Sequence, residues 1–122
     1  MNKIIKLKTH KNKSGCLTVI EKLLPFKIRR VFYIYNVDDS IRGKHRHIKT
    51  IQAAICISGS CVISCKSSKK DTIKDHKLSQ PDQCLIIYPE DYHTMQEFSK
   101  DAVLLVLASE YYDPKDYIHE EY

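Results

Sequence analysis

Short apolar runs rich in β-branched and aromatic residues, each ended by a turn cluster, limit what this chain can fold into more than any other feature of its sequence. Val31-Phe32-Tyr33-Ile34-Tyr35-Asn36-Val37 stops at Asp38-Asp39-Ser40, and Ile51-Gln52-Ala53-Ala54-Ile55-Cys56-Ile57 runs into Ser58-Gly59-Ser60. Cys61-Val62-Ile63-Ser64-Cys65 resumes at once, so two strands flank a glycine-centred bend. Thr72 to Leu78 reads as a weaker strand, and Cys84-Leu85-Ile86-Ile87-Tyr88 is stopped by Pro89. Ala102 to Ser109 is continuously apolar up to its last residue and is read as a strand buried on both faces, because its length and surroundings favour strand over helix. The only helix candidates are short pieces near Glu21 to Leu24 and after Pro114. Many short strands at near-regular spacing predict an all-β antiparallel sandwich or barrel. With 122 residues the chain is expected to form one domain.

Several function classes drop out early. No run approaches the roughly 18 apolar residues that span a bilayer, and lysines interrupt the apolar N-terminal segment Ile4-Ile5-Lys6-Leu7-Lys8. The chain is therefore expected to be cytoplasmic, with no membrane partner. Five cysteines without a CxxC pair argue for reduced thiols rather than a disulfide framework. Cys61 and Cys65, four apart on a strand, stand about 13 Å from each other and cannot share a zinc ion. The net charge of +5 is uneven: residues 1–50 hold 13 Lys and Arg against 3 Asp and Glu, and the remainder of the chain is net acidic. A basic half of this kind suits a phosphorylated small ligand as well as a polyanion. Only Tyr33 and Tyr35 interleave with it, a weak basis for nucleic-acid binding.

The segment most suggestive of chemistry is Arg42-Gly43-Lys44-His45-Arg46-His47. Strand alternation puts His45 and His47 on one face about 7 Å apart, with Arg46 on the other. A third histidine, His93, follows Pro89-Glu90-Asp91-Tyr92 at the start of another strand and is placed to converge on the same interior.

With these residues in view, the sequence resembles the cupin-fold dTDP-sugar 3,4-ketoisomerases over roughly Lys13 to Tyr122. The resemblance rests on Ile28 to Val37, Arg42 to His47, Gln52, Ile55 to Cys61, His93 to Ser99 and, most distinctively, Ala102 to Ile118. It implies a small jelly-roll barrel, no cofactor and no metal, with dTDP-4-keto-6-deoxyglucose as substrate and a place in 3-amino-3,6-dideoxysugar synthesis for surface glycans. It also implies a homodimer, often with exchanged N-terminal strands, for which residues 1–12 are the candidate edge or exchanged segment; residues 110–122 form a C-terminal tail. The chain departs from the family pattern at Arg46, Ile48 and Tyr92, and at the turn Lys11 to Gly15.

Moving a ketone from C4 to C3 needs a base of near-neutral pKa, a proton route between two oxygens and donors for a developing enediolate. The resemblance makes His47 the base. His45 is the expected shuttle, with Tyr33 as its partner, on the expectation that Tyr33 faces the cavity. Arginines meet pyrophosphate bidentately, so Arg42 and either Arg29 or Arg30 are the candidate phosphate ligands. Tyr35 and Gln52 are expected to add hydrogen bonds. The family carries His or Arg at the position of His93, and His resembles the branch with a galacto product.

Three other readings compete. A metal-dependent cupin would use His45, His47 and His93, but Ile51 and Gln52 stand where its acidic ligand belongs. A sugar-nucleotide 3,5-epimerase shares the fold and a histidine base. A non-enzymatic ligand-binding cupin would use the basic half alone.

Overall fold

In the computed structural model, which describes residues 1–122, the chain folds into twelve strands in sequence order. They are β1 (Lys3–Lys6), β2 (Lys8–Asn12), β3 (Gly15–Val19), β4 (Arg30–Tyr35), β5 (Arg42–His47), β6 (Gln52–Ser58), β7 (Cys61–Lys66), β8 (Lys74–Leu78), β9 (Gln83–Ile87), β10 (Tyr92–Gln96), β11 (Val103–Ala108) and β12 (Tyr117–Ile118). One sheet has the order β1-β9-β6-β11-β4, a second β12-β5-β10-β7-β8, and β2 and β3 form a separate hairpin. All strand pairs are antiparallel. The architecture is an all-β, cupin-like sandwich of a single domain. No helix is long and apolar enough to cross a membrane.

The continuous apolar runs are explained by two cores on opposite faces of the first sheet. Ala54, Cys56, Leu85, Ile87, Leu104 and Val106 point inward to meet Cys61, Ile63, Cys65 and Met95 of the second sheet. The alternate residues Ala53, Ile55, Cys84, Ile86 and Leu107 point outward beneath Ile20, Leu24 and Phe26. Strands covered on both faces have no reason to alternate apolar with polar. The same covering explains a difference from expectation at Glu21 to Leu24. These residues form bends, with Lys22 at φ 55, and the segment lies over the sheet instead of coiling into a helix. After Pro114 the expected helical piece is a single 3-10 turn, Pro114–Asp116, capped by the Asp113 side chain.

β1 forms one edge of the first sheet and pairs with β9 of its own chain. The β2–β3 hairpin is exposed along most of its length, with Leu17 59% exposed, and β4 leaves the other edge of the sheet open.

Candidate active site

Two adjacent strands of the second sheet carry the histidines. β10 pairs with β5 so that His93 lies opposite His45, and the register then shifts so that Thr94 lies opposite Gly43. Lys44 is thus the extra residue of a bulge, and both Gly43 (φ 83) and Lys44 (φ 62) take left-handed conformations. Bulges of this kind re-aim a strand's side chains. Here the bulge puts His45, His47 and His93 on one face: the His45 ring lies 5.0 Å from His47 and 4.8 Å from His93, centroid to centroid.

Each ring is held by its Nδ1. His45 bonds the Gly43 carbonyl at 2.9 Å, His93 the Asp91 carbonyl at 3.0 Å, and His47 the Asp116 carboxylate at 2.9 Å. A carbonyl oxygen only accepts, so Nδ1–H is the donor and Nε2 carries the lone pair in the neutral ring. Nε2 of His47 and of His93 is buried without a hydrogen-bond partner. Asp116 is itself tightly held. It accepts the Ile48 and Lys49 N–H groups at 3.2 and 2.8 Å, as well as the Thr50 hydroxyl. Ile48 and Lys49 thus serve the site through their backbone N–H groups, which any residue but proline supplies.

Burial pushes all three imidazoles below their ordinary pKa. For His45, burial and the neighbouring His93 lower it to about 4. For His93, burial dominates and the value is again about 4. For His47 burial also lowers it, while the Asp116 hydrogen bond and charge pull it back up. Burial would raise the Asp116 pKa, but bonds from Thr50, Lys49 and His47 outweigh this and hold its carboxyl below the usual range. All three are neutral, tautomerically fixed imidazoles, and His47, alone backed by an ionised carboxylate, is the one best placed to accept a proton at pH 7.

Beside them opens a cavity of about 300 Å³, walled by His45, His93, Gln52, Arg30, Arg42 and Tyr117 among others. His47, only 4% exposed, lies behind this wall. The Gln52 carbonyl oxygen is buried there without a partner. The Arg30 guanidinium stacks over Phe32 at 4.4 Å and near Tyr112 at 5.3 Å, and its charge reaches His47.

Six of the nine sequence-predicted residues therefore gather as a group: His45, His47, His93, Arg30, Arg42 and Gln52. Three need correction. On β4 it is Arg30, Phe32 and Ile34 that turn inward, so Tyr33 does not project into the cavity beside His45. Tyr33 touches the cavity wall, but its ring is 63% exposed on the outer face and stacks on Tyr35 at 5.7 Å. Tyr35 shares that outer face and lies outside the cavity lining. Arg29 is outside it too, its guanidinium spent on the Ser109 carbonyl at 3.0 Å.

Two residues escaped the sequence reading, Asp116 and Tyr117. β12 pairs with β5 so that Tyr117 lies opposite His47, and the Tyr117 ring packs on His45 at 4.7 Å and on His47 at 4.6 Å. The one available signal was their place in the Ala102 to Ile118 block.

Comparison with known proteins agrees with this geometry. The FdtA family model, described as WxcM-like, C-terminal, matches residues 1–122. A TDP-4-oxo-6-deoxy-alpha-D-glucose-3,4-oxoisomerase of Aneurinibacillus thermoaerophilus is 38% identical over 98% of this chain and 86% of its own. Among solved structures, a histidine-to-asparagine mutant of the 3,4-ketoisomerase QdtA from Thermoanaerobacterium thermosaccharolyticum, in complex with TDP-4-keto-6-deoxyglucose, superposes with TM-score 0.92. It is 44% identical, over 98% of this chain and 87% of that one. A 3,4-ketoisomerase from Helicobacter canadensis gives TM-score 0.92 at 34% identity, over 98% and 90%.

Proposed function

The chain belongs to the FdtA (WxcM-like, C-terminal) family and is a TDP-sugar 3,4-ketoisomerase; from that premise we propose that its substrate is TDP-4-keto-6-deoxyglucose and that His47 is the base that acts on it. The observation that carries the assignment of the base is the His47–Asp116 pair. Nδ1–H is fixed on a carboxylate at 2.9 Å, and the opposite nitrogen is buried without a partner.

The C4 ketone acidifies the proton on C3. His47 Nε2 takes that proton, the C3–H electrons form a C3=C4 double bond, and O4 becomes an enolate oxygen that is protonated to give the enediol. O3–H then loses its proton, the carbonyl forms at C3, and C4 takes up a proton. Substrate and product have the same formula, so no electrons leave the sugar. His45, whose ring packs between His47, His93 and Tyr117, is the nearest relay between the two oxygens. Its pKa of about 4 makes it an acceptor at neutral pH that passes a proton on readily. Arg30 and Arg42, on the cavity wall, supply cations for the pyrophosphate. The Gln52 oxygen accepts from a sugar hydroxyl, and His93 steers C4 toward the galacto configuration.

The exposed hairpin and the open edge of β4 support a homodimer. A lone two-stranded hairpin is marginal in water, and an unpaired edge invites another strand. Val31, Tyr33 and Tyr35 line that edge at 56%, 63% and 58% exposure. A second copy that docks its hairpin there would cover both. Four buried thiols and one exposed thiol, all unpaired, support a reducing, cytoplasmic setting.

Incubation with TDP-4-keto-6-deoxyglucose in D2O, followed by NMR, tests the proposal. The carbonyl should appear at C3 with deuterium at C4, and the coupling constants of the product report its configuration. Unchanged substrate in the presence of folded protein would sink the substrate assignment. A His47→Asn variant that turned over at the full rate would remove His47 as the base.

A further inference from the structure

Proton transfer needs one acceptor at a time, yet the site presents three. With every Nδ1–H committed to an oxygen at 2.9 to 3.0 Å, His45, His47 and His93 each offer an Nε2 lone pair. One ring nitrogen from each of the three lies within 4.8 Å of the other two. Two of these nitrogens are buried without a partner. Three converging acceptors with no donor among them form an unsatisfied group, and a cation satisfies them together.

The backing of each ring matches what a metal-bound imidazole requires. Metal-ligating histidines donate their second N–H to a carboxylate or a backbone carbonyl, which fixes the ring and raises its basicity. Asp116 supplies the carboxylate, and Gly43 and Asp91 supply the carbonyls. Zn–N bonds of about 2.0–2.1 Å set tetrahedral ligand atoms roughly 3.3 Å apart. An inward swing of each ring by about an ångström therefore closes the set. Two of the three rings, His45 and His93, also line the cavity together with Gln52. All-imidazole donors suit Zn²⁺, Co²⁺, Ni²⁺ and Cu²⁺ and discriminate against Mg²⁺ and Ca²⁺, which want oxygen.

We propose that His45, His47 and His93 form a binding site for one divalent transition-metal ion, and that its occupation excludes catalysis. Both events need the same lone pair. A His47 Nε2 that holds a metal cannot take the C3 proton, so the ion acts as an inhibitor competing with substrate rather than as a cofactor. The binding claim stands apart from the isomerase assignment; the inhibition claim rests on it.

Cobalt titration of the EDTA-treated full chain reads the site directly. Co²⁺ should bring up a visible d–d absorption that saturates at one equivalent per chain. Zn²⁺ should abolish the absorption, and Mg²⁺ should leave it alone. Competition with a chromophoric chelator should count one tightly held Zn²⁺. His93→Gln should lose the band at one equivalent, whereas His10→Asn, on the exposed hairpin, should keep it. Isomerase turnover should fall in step with Zn²⁺ occupancy and return with EDTA. No absorption from the wild-type protein at several equivalents of Co²⁺ would overturn the site. So would a band that persists unchanged in His93→Gln. Full Zn²⁺ occupancy with undiminished turnover would overturn the exclusion. A band without any isomerase activity would leave the metal site standing and defeat the isomerase reading alone.

Discussion

Asp116 decides how basic His47 is. Its two oxygens accept from four donors: the His47 ring, the Thr50 hydroxyl and the Ile48 and Lys49 N–H groups. An amide in its place turns an NH2 toward donors whichever way it flips, leaving buried groups unpaired at a cost of roughly 1–3 kcal/mol. Asp116→Asn should therefore lower stability by about that amount. It should also lower kcat, by less than the 10²- to 10⁴-fold expected for removing a general base outright. A purely structural role would not move the pH profile. Because the Asp116 charge raises the His47 pKa against burial, its loss should move the acidic limb of kcat/KM to lower pH. An unshifted limb with reduced kcat would assign Asp116 to scaffolding only.

At the scale of elements, the β5–β10 bulge turns two strands into a site. Gly43 sits at φ 83, where an added Cβ would stand 3.0 Å from the His93 carbonyl oxygen and 3.6 Å from its ring. Gly43→Ala combines left-handed strain, about 1–3 kcal/mol, with pressure on a catalytic neighbour. The unfolding free energy from urea titration should fall by about that amount and kcat should drop as well; a variant with wild-type kcat would show that the bulge only terminates pairing. The elements also show why some of the site was legible in the sequence and some was not. Alternation alone put His45 and His47 on one face, since two residues apart on a strand admits no other answer. For β4 the β-branched and aromatic run, read as Val31 to Val37, overlaps the observed Arg30–Tyr35 but overshoots its end by two residues and gives no phase. Val31 to Tyr35 is apolar or aromatic at every position, so nothing local says whether Phe32 or Tyr33 turns inward. The bulge at Lys44 left no signal beyond one glycine. Asp116 is 69 residues from His47 in sequence and reaches it only because β12 docks on β5. No periodicity reports a contact of that kind, which is why resemblance to a family marked the tail and residue patterns did not.

At the scale of the whole molecule, the dimer proposed above has a simple consequence. Leu17→Asp together with Val31→Asp puts charge on the exposed hairpin and on the open edge without touching the cavity lining. Sedimentation should then report a monomer where the wild-type chain sediments as a dimer; a wild-type monomer at all concentrations would sink the dimer. The buried histidines also tie the stability of the entire fold to pH. In the metal-free chain His45 and His93 resist protonation down to about pH 4, against about 6.5 in the unfolded chain. His47 shifts in the same direction. The charged and titratable groups that face them are His45, Asp116 and Arg30 toward His47, His93 and His119 toward His45, and His47 and Asp91 toward His93. Below pH 6.5 the unfolded state takes up protons that the folded state refuses, so the depressed folded pKa makes stability fall as the medium is acidified and leaves it flat above 6.5. With His45 and His93 protonated mostly in the unfolded chain, the two groups contribute a slope between pH 4.5 and 6 of at most about 2.7 kcal/mol per pH unit. Denaturant midpoints measured across that window should fall steeply toward acid, and His45→Gln should about halve the slope. Midpoints independent of pH between 4.5 and 6 would mean that the imidazoles are charged in the folded protein, and with that the neutral-base chemistry at His47 would lose its physical footing.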